Sequence, residues 1–540
     1  VQDDLSKYNL NTKLQFKTSD WLRFNLNNNI TLQMIKRPMA NQMILYNKIG
    51  SHRPTQVTEL PVESEYNIPS WNEMLYLKNS NYQRNRISDA LSFSATVTPL
   101  EGWDITGEMK IRFDVENNNL KMKDDQKYET PAGTFKPGDA TNQRQGFAYP
   151  GISWKNMYFG SYTRGSMFNY YLSPNLSSSY THQWGDHFFK AMAGYQMELQ
   201  EYSEEYMYKD GMLSNDIYSF DNASGNVIAG EARSHWATMG FYTRLNWNYN
   251  NIYFLEFSGR YDGSSRFPTD NKFGFFPSVA VGWRLSEEQF FKEAESLSFI
   301  DNLKLKASYG ILGNNNIGNY PYQSTYALGK AMNYVFGGVY TQGAAVTTYV
   351  DPTLKWEKTR TTDVGIETAF WNNKLTFNAA YFYRKTTDIL YKPSASYSSI
   401  FGLGLSQVNT GSLENKGWEF EIGHQNKIGE FSYHVNGNFS IIKNKVISLG
   451  VGDVEQKSGM IGNGSDLFLG YPMNMFYGYK TDGVFLTDDE VKEWHDQSKI
   501  APNSKAGDLR YVDISGDGKV DESDKTYLGS KIPQYTFGLG

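Results

Sequence analysis

Apolar and polar side chains alternate along most of this chain, and that period of two constrains its fold more than any other feature. From Tyr8 the even positions read Tyr8, Leu10, Thr12, Leu14 and Phe16, while Asn9, Asn11, Lys13, Gln15 and Lys17 lie between them. After a turn at Ser19-Asp20 the pattern resumes with Leu22, Phe24, Leu26, Ile30, Leu32 and Met34. Successive side chains of a strand point to opposite faces, so each such run has one apolar and one polar face. The same hairpin recurs about the turns at Pro99–Gly102, Asn250-Asn251, Asn372-Asn373 and Gly429. Each strand reaches the ~9–11 residues that a tilted membrane-crossing strand needs.

The connections sort by length. Short turns fall near residues 19, 100, 186, 250, 372 and 428, and long segments cover 35–88, 114–150, 200–235, 311–359, 386–415 and 441–534. Short on one side and long on the other is the rule for outer-membrane barrels, with periplasmic turns and extracellular loops. Roughly fifteen strands would make a wide barrel with room for a lumen. The predicted fold class is all-β, a transmembrane antiparallel β-barrel with long extracellular loops. A secreted β-rich adhesin is the alternative reading of the same strands.

Composition supports the barrel once the lumen is considered. Mean hydropathy is −0.57 and 39% of residues are hydrophobic, values usual for a water-soluble chain. A polar lumen face accounts for both. Aromatic residues make up 16% of the chain, and a membrane barrel places such rings outward and at its two rims. No apolar run is long enough for a transmembrane helix. The net charge of −6 carries no basic footprint for nucleic acid. With no cysteine, disulfides and thiolate metal sites are excluded. Val1 falls just ahead of a strand and Gly540 within one, which predicts an internal piece of a longer barrel.

Several local features invite a chemical reading. In DISGDGKVDESDK, residues 513–525, the side chains of Asp513, Ser515, Asp517, Asp521 and Asp524 and the carbonyl of Lys519 stand at calcium-loop spacing, with Gly518 at the sharp turn. Five acidic residues in twelve positions repel one another unless a cation neutralises them. The expected cofactor is a structural calcium in an extracellular loop, and the alternative is an Asp/Gly-rich surface turn. Position 12 is Asp where an EF-hand has a bidentate Glu, so the loop is nearer the dockerin type.

Thr487 and Glu490 have capping-box spacing for a short helix over 487–497, in which Trp494 either meets a partner or packs locally. Ser286 is expected to cap a helical turn running to Phe291 on the periplasmic side. His424 and His434 flank one turn but fall on opposite strand faces, which argues against a metal pair. Tyr320, Tyr322, Tyr326, Tyr334 and Tyr340 either stack on sugar rings or serve an interfacial girdle. Arg260, Asp262 and Arg266 either bind ligand or form an ion-pair network. No nucleophile–base constellation or phosphate-binding glycine loop stands out, so the chain is read as not an enzyme.

Longer words give a resemblance. RYDGSSRFP (260–268), FFPSVAVGWRLSEEQFF (275–291), DNLKLKASYGILGNNNIGNYPY (301–322), LKWEKT (354–359), NTGSLENKGWEFE (409–421), FYGYKTDGVF (476–485) and GDLRYVDISGDGKVDESDKTYLG (507–529) resemble the SusC-like (SusC/RagA) branch of TonB-dependent outer-membrane transporters of Bacteroidetes. The match runs from about residue 186 to the end, and residues 1–185 carry fewer signature words.

The resemblance implies a 22-stranded barrel, of which 1–540 is one part. Neither the N-terminal plug domain nor the last strands are read within it. It also implies a SusD-like surface lipoprotein as lid, energy from the TonB complex through the plug, and an outer-membrane location in the lipid bilayer. The implied function is import of a nutrient, first an oligosaccharide and next a peptide. The assembly would be either one transporter or a dimer of transporter–lipoprotein pairs. The alternative function is a non-transporting receptor or adhesin barrel.

Overall fold

The computed structural model describes residues 3–38, 80–123, 129–130, 133–134, 160–328, 332–391, 402–448 and 469–540. Fifteen of the described strands form antiparallel ladder: β1 (Asp4–Ser19), β2 (Leu22–Arg37), β3 (Ser80–Leu100), β4 (Trp103–Met122), β5 (Ser161–Trp184), β6 (His187–Lys209), β7 (Ile228–Tyr249), β8 (Tyr253–Ser264), β9 (Phe273–Arg284), β10 (Ile300–Asn314), β11 (Glu357–Phe370), β12 (Leu375–Thr387), β13 (Ser412–Ile428), β14 (Phe431–Ser448) and β15 (Tyr535–Leu539). The chain divides into two compact units, residues 1–179 with 194–239, and residues 180–193 with 240–540.

In the first unit β1, β2, β3 and β4 pair in chain order. Leu14, Leu26, Phe93 and Met109 stand opposite one another across the four strands. The next row on the other face reads Lys13, Asn27, Ser92 and Lys110. One face is therefore an apolar belt and the other is polar, as the alternation predicts.

The second unit repeats this over eight strands, β8 to β15 in chain order. One apolar row runs Leu255, Val281, Ala307, Val364, Tyr381, Trp418, Ile441 and Tyr535. The adjacent row on the opposite face contains Gly282, Lys306, Gly365, Glu419 and Ser440. Apolar side chains are exposed along the belt, for example Val281 at 50% and Ile422 at 52%. In water such a surface would be a severe liability, and in lipid it is the stabilising contact.

The short turns occupy the expected places. Asn250 and Asn251 carry positive φ (49° and 57°), as do Trp371, Asn372 and Asn373 (54°, 57° and 58°), the left-handed backbone that asparagine tolerates best among non-glycines. Rings gather at this end: Tyr253 stacks on both Tyr249 and Trp283, each at 6.4 Å, and Phe299 meets Phe370 and Trp371, each at 6.1 Å. Ser286 departs from expectation. It lies inside a 3-10 turn (Leu285–Glu287), and the following helix, Gln289–Lys292, has Glu288 as N-cap. Glu288 instead accepts from Tyr253 Oη (2.6 Å) and Trp283 Nε1 (2.8 Å), tying the turn to two rim aromatics.

Some segments read as long connections are partly strand. β2 runs to Arg37, β4 to Met122, β6 to Lys209, and β7 begins at Ile228. These extensions hold too few apolar residues to read as a membrane belt, and those present, such as Leu120, Met122 and Tyr208, are buried, yet the backbone ladder continues.

Folded cores occur in the long connections. Phe267, Phe276, Ile317, Leu354 and Trp356 form a buried cluster in the second unit, and Trp356 Nε1 donates to the carbonyl of Lys272 (3.0 Å). Phe276 fits because two neighbours lack a Cβ: one on Gly274 would lie 2.5 Å from the ring, and one on Gly313 only 2.2 Å. The glycines of FGFF and ILGN are thus packing residues.

Candidate functional site

The polar face of the first unit carries a connected hydrogen-bond network. Asp114 on β4 is 1% exposed and stands at its centre. A carboxylate this deep costs several kcal/mol unless it is paired and hydrogen-bonded. Arg86 and Arg112 each approach it to 3.2 Å, and Asn169 Nδ2 donates to it at 2.9 Å. Asn169 Oδ1 in turn accepts from Gln200 (2.7 Å), whose Oε1 accepts from Trp236 Nε1 (3.0 Å). Glu198 accepts from Tyr171 Oη (2.9 Å) and Thr238 Oγ1 (3.2 Å). Donors and acceptors alternate from β3 to β7 around Asp114, while Arg84 Nε and Asn118 Oδ1 on the same face make no hydrogen bond among the described residues. The sequence signal was there, because the residues between the belt positions are Asp, Glu, Arg, Asn and Gln; their pairing was not readable.

The acidic loop lies in a folded connection between β14 and β15. Two small ladders, Met475–Tyr479 with Lys525–Ser530 and Thr481–Val484 with Leu509–Tyr511, frame it. Phe485 and Val520 are buried at 1% and 0%. Asp513 accepts from the amides of Gly516 and Gly518, each at 2.7 Å. Ser515 Oγ donates to Asp513 (3.2 Å), and Asp517 accepts from the Lys519 amide (2.9 Å). Asp521 caps a 3-10 turn through Ser523 and receives Lys499 Nζ at 2.8 Å. Asp524, fully buried, takes three amides: Ile514 and Ser515 at 2.9 Å and Asp521 at 2.7 Å.

These contacts set the acidities. Burial works to raise Asp513 and Asp524, but the amides outweigh it and both carboxyls lie below their ordinary value. Asp521 is lowered chiefly by Lys499 and then by Ser523. The donor set fits a cation only in part. Asp513, Asp517 and the Lys519 carbonyl keep oxygen lone pairs, whereas Lys499 holds Asp521 and three amides hold Asp524. Among the described residues no three His, Asp or Glu side chains converge as a metal site.

Residues 8–538 match the protein family described as TonB dependent receptor-like, beta-barrel. The chain belongs to that family.

Relatives within it include TonB-dependent receptor P26 of Formosa agariphila, 33% identical over 61% of this chain and 33% of that protein. TonB-dependent receptor SusC of Bacteroides thetaiotaomicron is 29% identical over 72% of this chain and 37% of that protein. The chain thus spans about a third of the length of these relatives. The structure of the RagAB peptide transporter superposes with a TM-score of 0.74 at 16% identity, over 99% of this chain and 56% of that one, which establishes the shared fold. The SusC-like resemblance, the antiparallel barrel fold and the outer-membrane location are borne out. The family is one of TonB-dependent receptors, not of enzymes.

In a TonB-dependent receptor barrel the apolar face meets lipid and the polar face lines the lumen, so the Asp114 network is lumen wall. The remaining candidates have the following surroundings. Thr487 caps the helix Asp488–Glu493 by accepting from the Glu490 amide (3.2 Å), but the Glu490 carboxylate reaches Leu486 N instead of closing a capping box. Trp494 packs locally: its Nε1 donates to the Tyr511 carbonyl (2.8 Å), and the Arg510 guanidinium lies 4.5 Å from its ring. His424 stands opposite Val435 and His434 opposite Gln425, on opposite faces. Arg260 forks onto Asp262 (3.0 and 2.9 Å), while Arg266 turns away to Asn319 and the Asn315 carbonyl. Tyr322 packs on the Trp356 cluster, whereas Tyr326, Tyr334 and Tyr340 are exposed.

Proposed function

We propose that this chain is the barrel wall of a TonB-dependent importer that carries a nutrient across the outer membrane, with oligosaccharide the first cargo class and peptide the second. The supporting observation is the polar hydrogen-bond network around Asp114 on the face opposite the lipid belt, which gives the barrel a hydrophilic wall suited to a hydrated cargo. SusC is named a TonB-dependent receptor, and the likeness to it supports coupling to TonB in the full-length protein; a SusD-like lipoprotein lid is part of the same proposal. Mild-detergent purification from the native membrane, with mass spectrometry and a radiolabelled uptake assay, tests this. A co-purifying lipoprotein with energy-dependent uptake supports it; a barrel that purifies alone and moves no cargo leaves the receptor or adhesin reading.

For the acidic loop, calcium remains a proposal resting on spacing. Its role would be to brace the surface beside the lid. Calorimetric titration with calcium tests it, and a flat titration removes it.

A further inference from the structure

In the second unit the apolar belt ends abruptly on four neighbouring strands, β11 to β14. Beyond the row Val364, Tyr381, Trp418 and Ile441, the next row on the same outward face reads Thr362, Tyr383, Lys416 and Lys443. The row after it reads Arg360, Lys385, Glu414 and Lys445. Lys358, two positions further along β11, shares this face. Six cations thus stand beside one carboxylate. Each of these strands has a ladder neighbour on both sides, and the face looks away from the lumen.

Two of the pairings are of like charge. Arg360 stands directly opposite Lys385, and Lys416 directly opposite Lys443. Side chains so placed start about 4.5–5.5 Å apart, and like charges there are destabilising. Internal contacts offset little of this. Glu414 accepts from Lys416 Nζ at 2.9 Å and from Tyr383 Oη at 3.1 Å. Arg360 reaches the neutral hydroxyl of Thr387 at 3.4 Å. Lys385 and Lys443 make no ion pair among the described residues. An anion seated between such cations relieves the repulsion.

The patch also sits at a particular height. Arg360 and Lys385 stand ten residues beyond the last pair before their turn, Phe370 and Leu375. Lys416 and Lys443 stand twelve beyond Ile428 and Phe431. Crossing the hydrocarbon takes ~9–11 residues, so the cations begin where the headgroups of the outer leaflet lie. Directly below them Tyr381 and Trp418 pack at 5.1 Å, and Trp418 and Val364 are 47% and 52% exposed. A soluble anion would meet the cations and nothing else. An anionic lipid meets both layers, with its charge on the cations and its chains on the rings. The four strands span three spacings, about 14 Å, which leaves room for a headgroup with more than one phosphate.

We propose that this outward patch binds the phosphate groups of an outer-leaflet lipid, with Arg360, Lys385, Lys416 and Lys443 holding the headgroup and the chains lying on Tyr381 and Trp418. The site depends on the outer-membrane location and the assignment of faces, and not on the cargo.

The full-length protein in neutral detergent is titrated with bisphosphorylated lipid A and with the same lipid stripped of phosphate, and native mass spectrometry counts the bound copies. Inorganic phosphate is then added as competitor. The phosphorylated lipid is expected to bind best, and more weakly as salt rises. Lys385→Gln and Lys443→Gln each weaken it about five-fold, the scale of one cation beside a headgroup. Lys443→Arg and the lumen-facing Lys304→Gln leave it unchanged. In lipid-free detergent both Gln variants lose a like-charged neighbour and unfold at a higher temperature than the wild type. Equal binding of the stripped lipid, unchanged binding in both Gln variants, or displacement by an equal concentration of phosphate each overturns the assignment. Lower unfolding temperatures of both Gln variants without lipid would make these lysines structural and overturn it too.

Discussion

Lys499 and Asp521 form an ion pair, Nζ to Oδ2 at 2.8 Å, that joins the segment after the loop helix to the acidic loop. The backbone bonds Asp496 N to Gly518 O and Val520 N to Asp496 O, at 3.2 and 2.8 Å, lock the same two segments. The ammonium stands where a metal would otherwise offset this charge. Lys499→Met should therefore loosen residues 513–524 in the absence of calcium, read as faster amide exchange there and unchanged exchange in β8 to β13. Equal exchange in both proteins removes Lys499 from this role.

The same loop predicts a pH dependence. Asp513, Asp521 and Asp524 all have folded pKa values below their ordinary one, so their contribution is complete above the unfolded value of about 3.9. It is lost as pH falls from there through the folded values. Amide protection of 513–524 should be flat from neutral pH to about pH 4.5 and fall below that. A protection loss centred between pH 6 and 7 would point to histidine instead.

Asp114→Ala removes one partner and leaves Arg86 and Arg112 facing each other. Both arginines are partly exposed, so the cost is about 1–3 kcal/mol, less than for a sealed pair. Urea unfolding in lipid vesicles reads this directly. Asp114→Asn keeps an acceptor for Asn169 and should lose less.

The two faces should respond oppositely to charge. Val281→Arg places a guanidinium in the lipid belt and costs about 2–4 kcal/mol at mid-depth. Ser440→Arg, on the lumen row, should fall within about 0.5 kcal/mol of the wild type. The same vesicle assay compares them, and similar losses at both positions would contradict the assignment of faces.

Under the long connections, Trp356→Ala should cost about 3–5 kcal/mol of local stability. Gly313→Ala meets the Phe276 ring and should cost about 1–3 kcal/mol. Limited proteolysis between Phe267 and Leu354 distinguishes these variants from exposed controls such as Tyr334→Ala.

What the sequence made legible follows from where water and lipid divide the chain. Across the belt a solvent contrast acts on every second residue, so Leu255, Val281 and Trp418 reveal both strand and face, and asparagine pairs mark the turns. Beyond the belt the lipid contrast ends, and the extensions of β4 and β6 mix polar residues with a few buried apolar ones such as Leu120, Met122 and Tyr208, so no belt pattern marks them. Cap chemistry was only half readable: Thr487 caps its helix, whereas Ser286 does not, because Glu288 is recruited by Tyr253 and Trp283. The acidic loop showed its spacing but not its partner, since Lys499 lies twenty-two positions before Asp521. Lumen pairing across β3 to β7 depends on register, which alternation alone leaves open.

Strand length has a further bearing on how the protein sits in its membrane. β5 is 24 residues long, while crossing the hydrocarbon takes ~9–11. The surplus length extends beyond the lipid at the strand ends. A bilayer a few ångströms thicker or thinner would move the waterline along the strand without breaking a ladder bond.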